Sequence, residues 1–242
     1  MPPVVVPGYL PSVYGFRFYN SFDSSPAVTI GPIATRLFGI NDAKSGLCGG
    51  MALSSRDLYE ARVPAPPDTV PPKPRTAPFE AIVRRQVQSL DWFRVPLRYF
   101  DLQAFRQDPP TGLFAMFGRE PARVTTVQRE WPKIRAEIAS GHPSIVGLVR
   151  SAASNPWALQ GNHQVVAYGF EETAPLVTLR IYDPNHPGKD EVTLRMILAP
   201  DTGQPLRDRV TLEQSTGEPL FGFFRQPYPA PTSVSAWKST IA

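Results

Sequence analysis

Gly141-His142-Pro143-Ser144-Ile145-Val146-Gly147-Leu148-Val149-Arg150 marks the point where the period of the sequence changes. Upstream, apolar residues recur at the spacing of one helix face; downstream they alternate, as on one face of a strand. Leu47, Met51, Leu58 and Tyr59, with Arg56, Asp57 and Glu60 outside, predict an amphipathic helix of about 12–14 residues starting near Cys48. Phe79, Ile82, Val83, Val87 and Leu90 predict a second helix with Pro78 in its first turn. A short helix is expected over Leu97–Gln107, with Leu97, Phe100 and Phe105 inward, then a loop over Pro109–Thr126. A helix over Val127–Ser140 follows, with Ile134 and Ile138 on one face and Gly141 and Pro143 as its stop.

After the switch, Ser144–Arg150, His163–Glu171, Leu176–Asp183, Glu191–Leu198 and Leu220–Arg225 read as strands. Residues 1–35 read as loops with one or two short strands. Helices first and strands second predict an α+β fold, a helical lobe packed on an antiparallel sheet or half-barrel. Seven prolines between Val63 and Pro78 forbid a helix or central strand, so that stretch reads as an extended surface insertion. The expected organisation is one domain over 1–228 and an unordered tail over 229–242.

Proline is the compositional anomaly, 29 of 242 residues or about 12% against a usual ~5%. The apolar content is otherwise that of a globular chain, so the prolines read as rigid turns around a real core. The formal charge of +4 is spread out, with Arg84-Arg85 its densest cluster, which argues against nucleic acid as a partner. The apolar runs are far shorter than the ~18–20 residues of a membrane span. Met1–Pro7 lacks the basic and apolar regions of a secretory signal, giving a cytoplasmic default with signal-independent export left open. One cysteine and three histidines exclude an intramolecular disulfide and disfavour structural zinc.

Two segments can carry chemistry. In Asn41-Asp42-Ala43-Lys44-Ser45-Gly46-Leu47-Cys48-Gly49-Gly50-Met51 a cysteine opens a helix, where unpaired N–H groups favour a thiolate and the glycines let a substrate backbone approach. A buried structural thiol is the competing explanation. In Gly161-Asn162-His163-Gln164-Val165-Val166 a histidine opens a strand, and Asp183-Pro184-Asn185 closes the next one. A tight hairpin turning at Glu172–Pro175 sets His163 opposite Asp183, Pro184 or Asn185, within reach of a His–carboxylate bond. A satisfied histidine and an ordinary Asp-Pro turn would explain the same residues without chemistry. His142, His186, Trp157 and the Glu171-Glu172 pair are weaker candidates, each explained as a helix-end contact, a loop residue or a solvated hairpin tip.

The order Cys, His, Asp, with the cysteine on a helix and the other two on strands, resembles the papain-like cysteine peptidase superfamily. The Cys-Gly helix start, the His-x-Val-Val strand and the Asp-Pro turn are most similar to the bacteriocin-leader-peptidase branch. The likeness covers roughly Ile40–Glu60 and Ile134–Pro184. It implies Cys48 as nucleophile, His163 as general base and acid, Asp183 as the orienting carboxylate with Asn185 its competitor, and no cofactor or metal. It also implies a glutamine at position 42 as oxyanion donor; here Asp42 stands there, with Asn41 one residue back. An ionised carboxylate cannot donate, so Asn41, the Cys48 N–H, Lys44 or Ser45 is expected to take that role. The implied reaction is hydrolysis of a peptide or amide bond through a thioester. Acyl or aminoacyl transfer through the same thioester, and a non-catalytic peptide-binding module, are the alternatives.

Overall fold

In the computed structural model the described residues are 2–25, 42–91, 94–105, 120–151, 161–229 and 233–238. Four helices matter for the site: α1 Cys48–Glu60, α2 Ala77–Gln88, α3 Arg94–Phe100 and α4 Trp131–Ala139. Seven strands form one nearly closed antiparallel sheet: β1 Val4–Val5, β2 Ser144–Val149, β3 His163–Thr173, β4 Leu176–Tyr182, β5 Thr193–Leu198, β6 Val210–Gln214 and β7 Gly222–Arg225. Their order is β6-β5-β4-β3-β2-β7, and β1 pairs with β3 beyond the end of β2. The expected α+β class is the class observed.

The helix α1 lies between α2 and β3 and buries every residue from Gly49 to Tyr59. Its glycines are a packing requirement. A side chain at Gly50 would collide with the Ile82 carbonyl of α2, and one at Gly49 with the Gln164 amide and the Ser89 hydroxyl. They therefore serve the close approach of α1 to its neighbours rather than substrate access. Arg56 and Asp57, expected to face solvent, are buried because helices and sheet flank them on both sides. Asp57 accepts from Arg85 at 2.7 Å and from the Tyr228 hydroxyl at 2.7 Å, and Arg56 donates to Glu137 at 2.7 Å. Burial of such charges is tolerated only with partners of this quality.

The main core fills the space between α1, α4 and the sheet, with Trp131, Ile134, Ile138, Val146, Val166 and Ile181 among its members. An aromatic second core joins Phe16, Phe18, Phe22 and Phe79 to Leu47, Met51 and Ile82 beneath the start of α1. Trp237, in the helical turn Ser235–Lys238, packs on Phe16 at 5.0 Å. That part of the expected unordered tail is thus docked on the helical lobe.

Three further expectations change. The helix after residue 93 presents Val95, Tyr99 and Leu102 inward, while Leu97 is 64% exposed; Phe105's side chain is outside the described residues. Ala122–Thr125 and Thr126 are helical where a loop was expected, and the expected helix from Val127 opens as a π-turn over Thr126–Glu130. Their buried Thr125, Thr126 and Glu130 carry no apolar signal, and Thr126 is held instead by bonds to both backbone groups of Phe223. Finally, β6 had no sequence signature, since only Val210 and Gln214 of its five residues are buried.

Candidate active site

Cys48 is the first residue of α1, and no side chain caps the helix there. The turn leading into it is shaped by Gly46, at φ +90°, which ends the 3-10 turn Ala43–Ser45. Asn20 clamps the same turn, its Oδ1 accepting the Leu47 N–H at 2.6 Å. Cys48 is half-buried, with the His163 ring and the Gln164 N–H as the neighbours that stabilise its thiolate.

His163 is the first residue of β3 and is 4% exposed. Its carbonyl accepts the Tyr99 hydroxyl at 2.5 Å, which fixes the strand end beneath the ring. Its Nε2 donates to Asp183 Oδ1 at 2.6 Å, leaving Nδ1 as the ring nitrogen available to the thiol.

Asp183 follows β4 and is fully buried. Four donors surround its carboxylate. His163 and the Asn185 N–H (2.8 Å) reach Oδ1, and Gln214 Nε2 (2.9 Å) and Arg150 Nη2 (3.3 Å) reach Oδ2. A carboxylate with this many donors stays ionised despite burial. Burial opposes its charge, but His163, Asn185 and Arg150 hold its pKa far below the usual carboxylate range. Burial likewise opposes the imidazolium, yet Asp183 and Cys48 raise the His163 pKa to about 9. For Cys48 burial pushes the thiol up, and the charge and bonds of His163 with the Gln164 N–H more than offset it, so the pKa falls below the ordinary thiol value. The three shifts together favour a thiolate–imidazolium pair backed by a carboxylate.

Cys48, His163 and Asp183 are thus brought together, while the other candidates separate from them. Asn185 turns its side chain to Asn20, whose Nδ2 donates to it at 3.1 Å, and touches Asp183 only through its own N–H, as in an Asx-turn. Asp42 accepts from the Ser24 hydroxyl at 2.6 Å, the Ser25 N–H at 2.9 Å and the Lys44 N–H at 3.0 Å, so it caps the 3-10 turn. The Ser24 bond foremost, then the two N–H groups, lower its pKa, which leaves it an acceptor with nothing to donate. Asn41 and Trp157 lie outside the described residues. Among the described residues the N–H groups of Cys48 and Gly49 have no hydrogen-bond partner, and they point from a helix N-terminus. His142 pairs with Glu60 at 3.4 Å, His186 with Glu218 at 2.8 Å, and Glu172 with Arg135 at 3.1 Å; Glu171 is exposed.

Sequence reasoning missed Asn20, Tyr99, Arg150 and Gln214. Arg150 alone left a trace, as the charge that ends the apolar run of β2; the others sit in segments with no motif. Among the described residues no group of three or more His, Cys, Asp or Glu could hold a metal ion, and no helix is long and apolar enough to cross a membrane. No protein-family model, curated protein or solved structure matches this chain.

Proposed function

We propose that this protein is a papain-like cysteine hydrolase that cleaves a peptide or amide bond through a thioester on Cys48. The observation that carries the reading is the bond of His163 to the buried Asp183 carboxylate at 2.6 Å, with Cys48 at a helix start close enough to the ring for each to shift the other's pKa. A nucleophile, a base and an orienting group in that sequence are what thiol acyl chemistry requires. The nucleophile-bearing helix packed on an antiparallel sheet that supplies the other two supports the papain-like assignment.

In the proposed cycle the Cys48 thiolate attacks the carbonyl carbon, and the oxygen takes up the negative charge facing the Cys48 N–H. His163 passes its Nδ1 proton to the leaving nitrogen, the C–N bond breaks, and an amine departs from the thioester. Water then attacks while His163 takes its proton. The C–S bond breaks, the carboxylic acid leaves, and the thiolate–imidazolium pair returns. Asp183 keeps Nε2 protonated and the ring in place throughout. No step calls on a cofactor.

A non-catalytic peptide-binding module is the second reading, favoured by one observation: Asp42 offers no donor where the related enzymes carry an amide. One experiment separates the two. Wild type and Cys48→Ala are incubated with peptide and amide libraries, and iodoacetamide labelling of the native wild type is followed across pH. Hydrolysis that depends on Cys48, with labelling well below pH 7, is the expected result. Peptide binding without turnover, and a thiol that labels only after unfolding, would overturn the hydrolase reading.

A further inference from the structure

Arg150 follows β2 on the far side of Asp183 from His163, and its side chain is only 10% exposed. Its Nη2 donates to Asp183 Oδ2 at 3.3 Å and to Gln214 Oε1 at 2.7 Å. The Gln214 Nε2 closes the ring by donating to the same Oδ2 at 2.9 Å, and also bonds Thr216 Oγ1 at 2.8 Å. The Arg150 backbone is fixed as well, its N–H donating to Asn162 Oδ1 at 3.1 Å. A permanent cation is thus built onto the oxygen that His163 does not use.

The geometry points to Arg150 as a positioning residue that divides the charge of Asp183 between two cations and so sets the pH window of the Cys48–His163 pair. This rests on the cysteine-hydrolase reading. The physical reason is a conflict within the proposed cycle. A buried carboxylate at 2.6 Å binds the imidazolium tightly, which helps form the ion pair but opposes proton transfer to the leaving nitrogen. A neutral orienting group would relieve this at the expense of the imidazolium, which Asp183 holds charged. A guanidinium on the second oxygen does both jobs: it keeps Asp183 ionised and weakens its hold on the His163 proton. Arginine suits the position because it stays charged when buried and donates from a fixed fork.

Among the described residues the titratable groups around the pair come from several elements. They are Asp183 after β4, Tyr99 from α3, Tyr182 from β4 and Arg150 after β2. Beyond Thr216 lies Glu218, paired with His186 and close enough to sense Arg150. Arg150 is the one lasting cation in that set, so its removal moves the titration of the pair in a single direction. Losing a nearby positive charge makes both protons harder to release. The midpoint of thiolate formation and the midpoint of imidazolium loss must both rise, by roughly one pH unit for a charge several Å away.

The test follows the rate of Cys48 alkylation by iodoacetamide against pH, together with the NMR titration of the His163 ring. Arg150→Gln keeps a donor near Asp183 and removes the charge. Both midpoints are expected to rise by about one unit in Arg150→Gln and to stay near wild type in Arg150→Lys. Asp183→Asn should lower both, and Asp183→Asn/Arg150→Gln should bring them back up. The double variant carries no unpaired buried charge, so the comparison survives if Arg150→Gln alone does not fold. Midpoints unchanged in Arg150→Gln, or a double variant that titrates like Asp183→Asn, would overturn the role of Arg150. A wild-type Cys48 inert below pH 7 would instead overturn the hydrolase reading, and the His163 midpoint would still report whether Arg150 acts on the ring.

Discussion

Asp183 meets His163 on a diagonal of the sheet. The register of β3 on β4 pairs Val166 with Tyr182 after a bulge at Tyr168, so continuing it sets Val165 across from Asp183. His163 lies two residues further along the same face, and the 2.6 Å bond spans that offset. Diagonal neighbours in an antiparallel pair are within reach of long side chains, and a histidine paired with an aspartate is long enough. The bulge that shifts the register thereby aims the carboxylate.

Replacing Asp183 by Asn should lower the His163 pKa from about 9 and depress turnover. Asn185→Ala leaves the backbone N–H to Asp183 in place and should leave that pKa unmoved. An NMR pH titration of the His163 ring in both variants checks this. A drop in Asn185→Ala with none in Asp183→Asn would move the orienting role one turn along the chain.

Cys48→Ala should abolish turnover and labelling while shifting Tm by no more than about 4 °C, the equivalent of ~1 kcal/mol in a chain of this size. The small side chain is half-buried at a helix start, so little packing is lost. Undiminished hydrolysis in this variant would remove Cys48 from the reaction. A collapsed fold would mark the cysteine as structural.

Stability of Cys48→Ala, in which no thiol titrates, should fall as pH rises above about 6.5. Asp183 still raises the folded pKa of His163 in this variant, so the stability it contributes is complete below its unfolded value of ~6.5 and is lost as pH climbs through the folded value. The expected loss is of order 1–2 kcal/mol, read from urea melts between pH 6 and 9.5. At the acid end Asp183 acts in the opposite sense. Its depressed pKa contributes stability above its unfolded value of ~3.9 that disappears as the pH drops below it. A flat profile in both ranges would mean that the pair is not ionised in the folded protein.

Asn20→Ala should destabilise the fold by about 1–3 kcal/mol, because it strips the buried Leu47 N–H of its acceptor. It should also slow Cys48 labelling, since the same side chain ties the cysteine turn to Asn185. Calorimetry and labelling kinetics on one sample separate the two effects. Normal labelling in a destabilised variant would confine Asn20 to a structural role.

Gly50→Ala provides a test of the packing of α1. In an open helix the change would stabilise by ~1 kcal/mol. Here the new methyl meets the Ile82 carbonyl, and a net loss of roughly 1–3 kcal/mol is expected in urea denaturation. A gain in stability would show that α1 and α2 can move apart.

The sequence by itself determined that helices precede strands, that one helix starts at Cys48 and that one strand starts at His163. Each of these is a local property, since apolar period and turn residues are read within a dozen positions. It also brought Cys48, His163 and Asp183 forward together, through their residue types and order. What it could not contain is which polar groups meet across the fold. Arg56, Asp57 and Leu97 were placed on the wrong side because local spacing does not say what lies against a helix's second face. The hairpin register leaves Asp183, Pro184 and Asn185 all open as partners of His163, whereas a bulge at Tyr168 decides the pairing and delivers the Asp183 contact diagonally. Asn20, Arg150 and Gln214 reach the site from segments far apart in the chain, and a polar residue announces no partner until the backbone has folded. Periodicity encodes where apolar surface goes. The hydrogen bonds that tune a buried carboxylate depend on distances between remote side chains, and only the tertiary structure sets those.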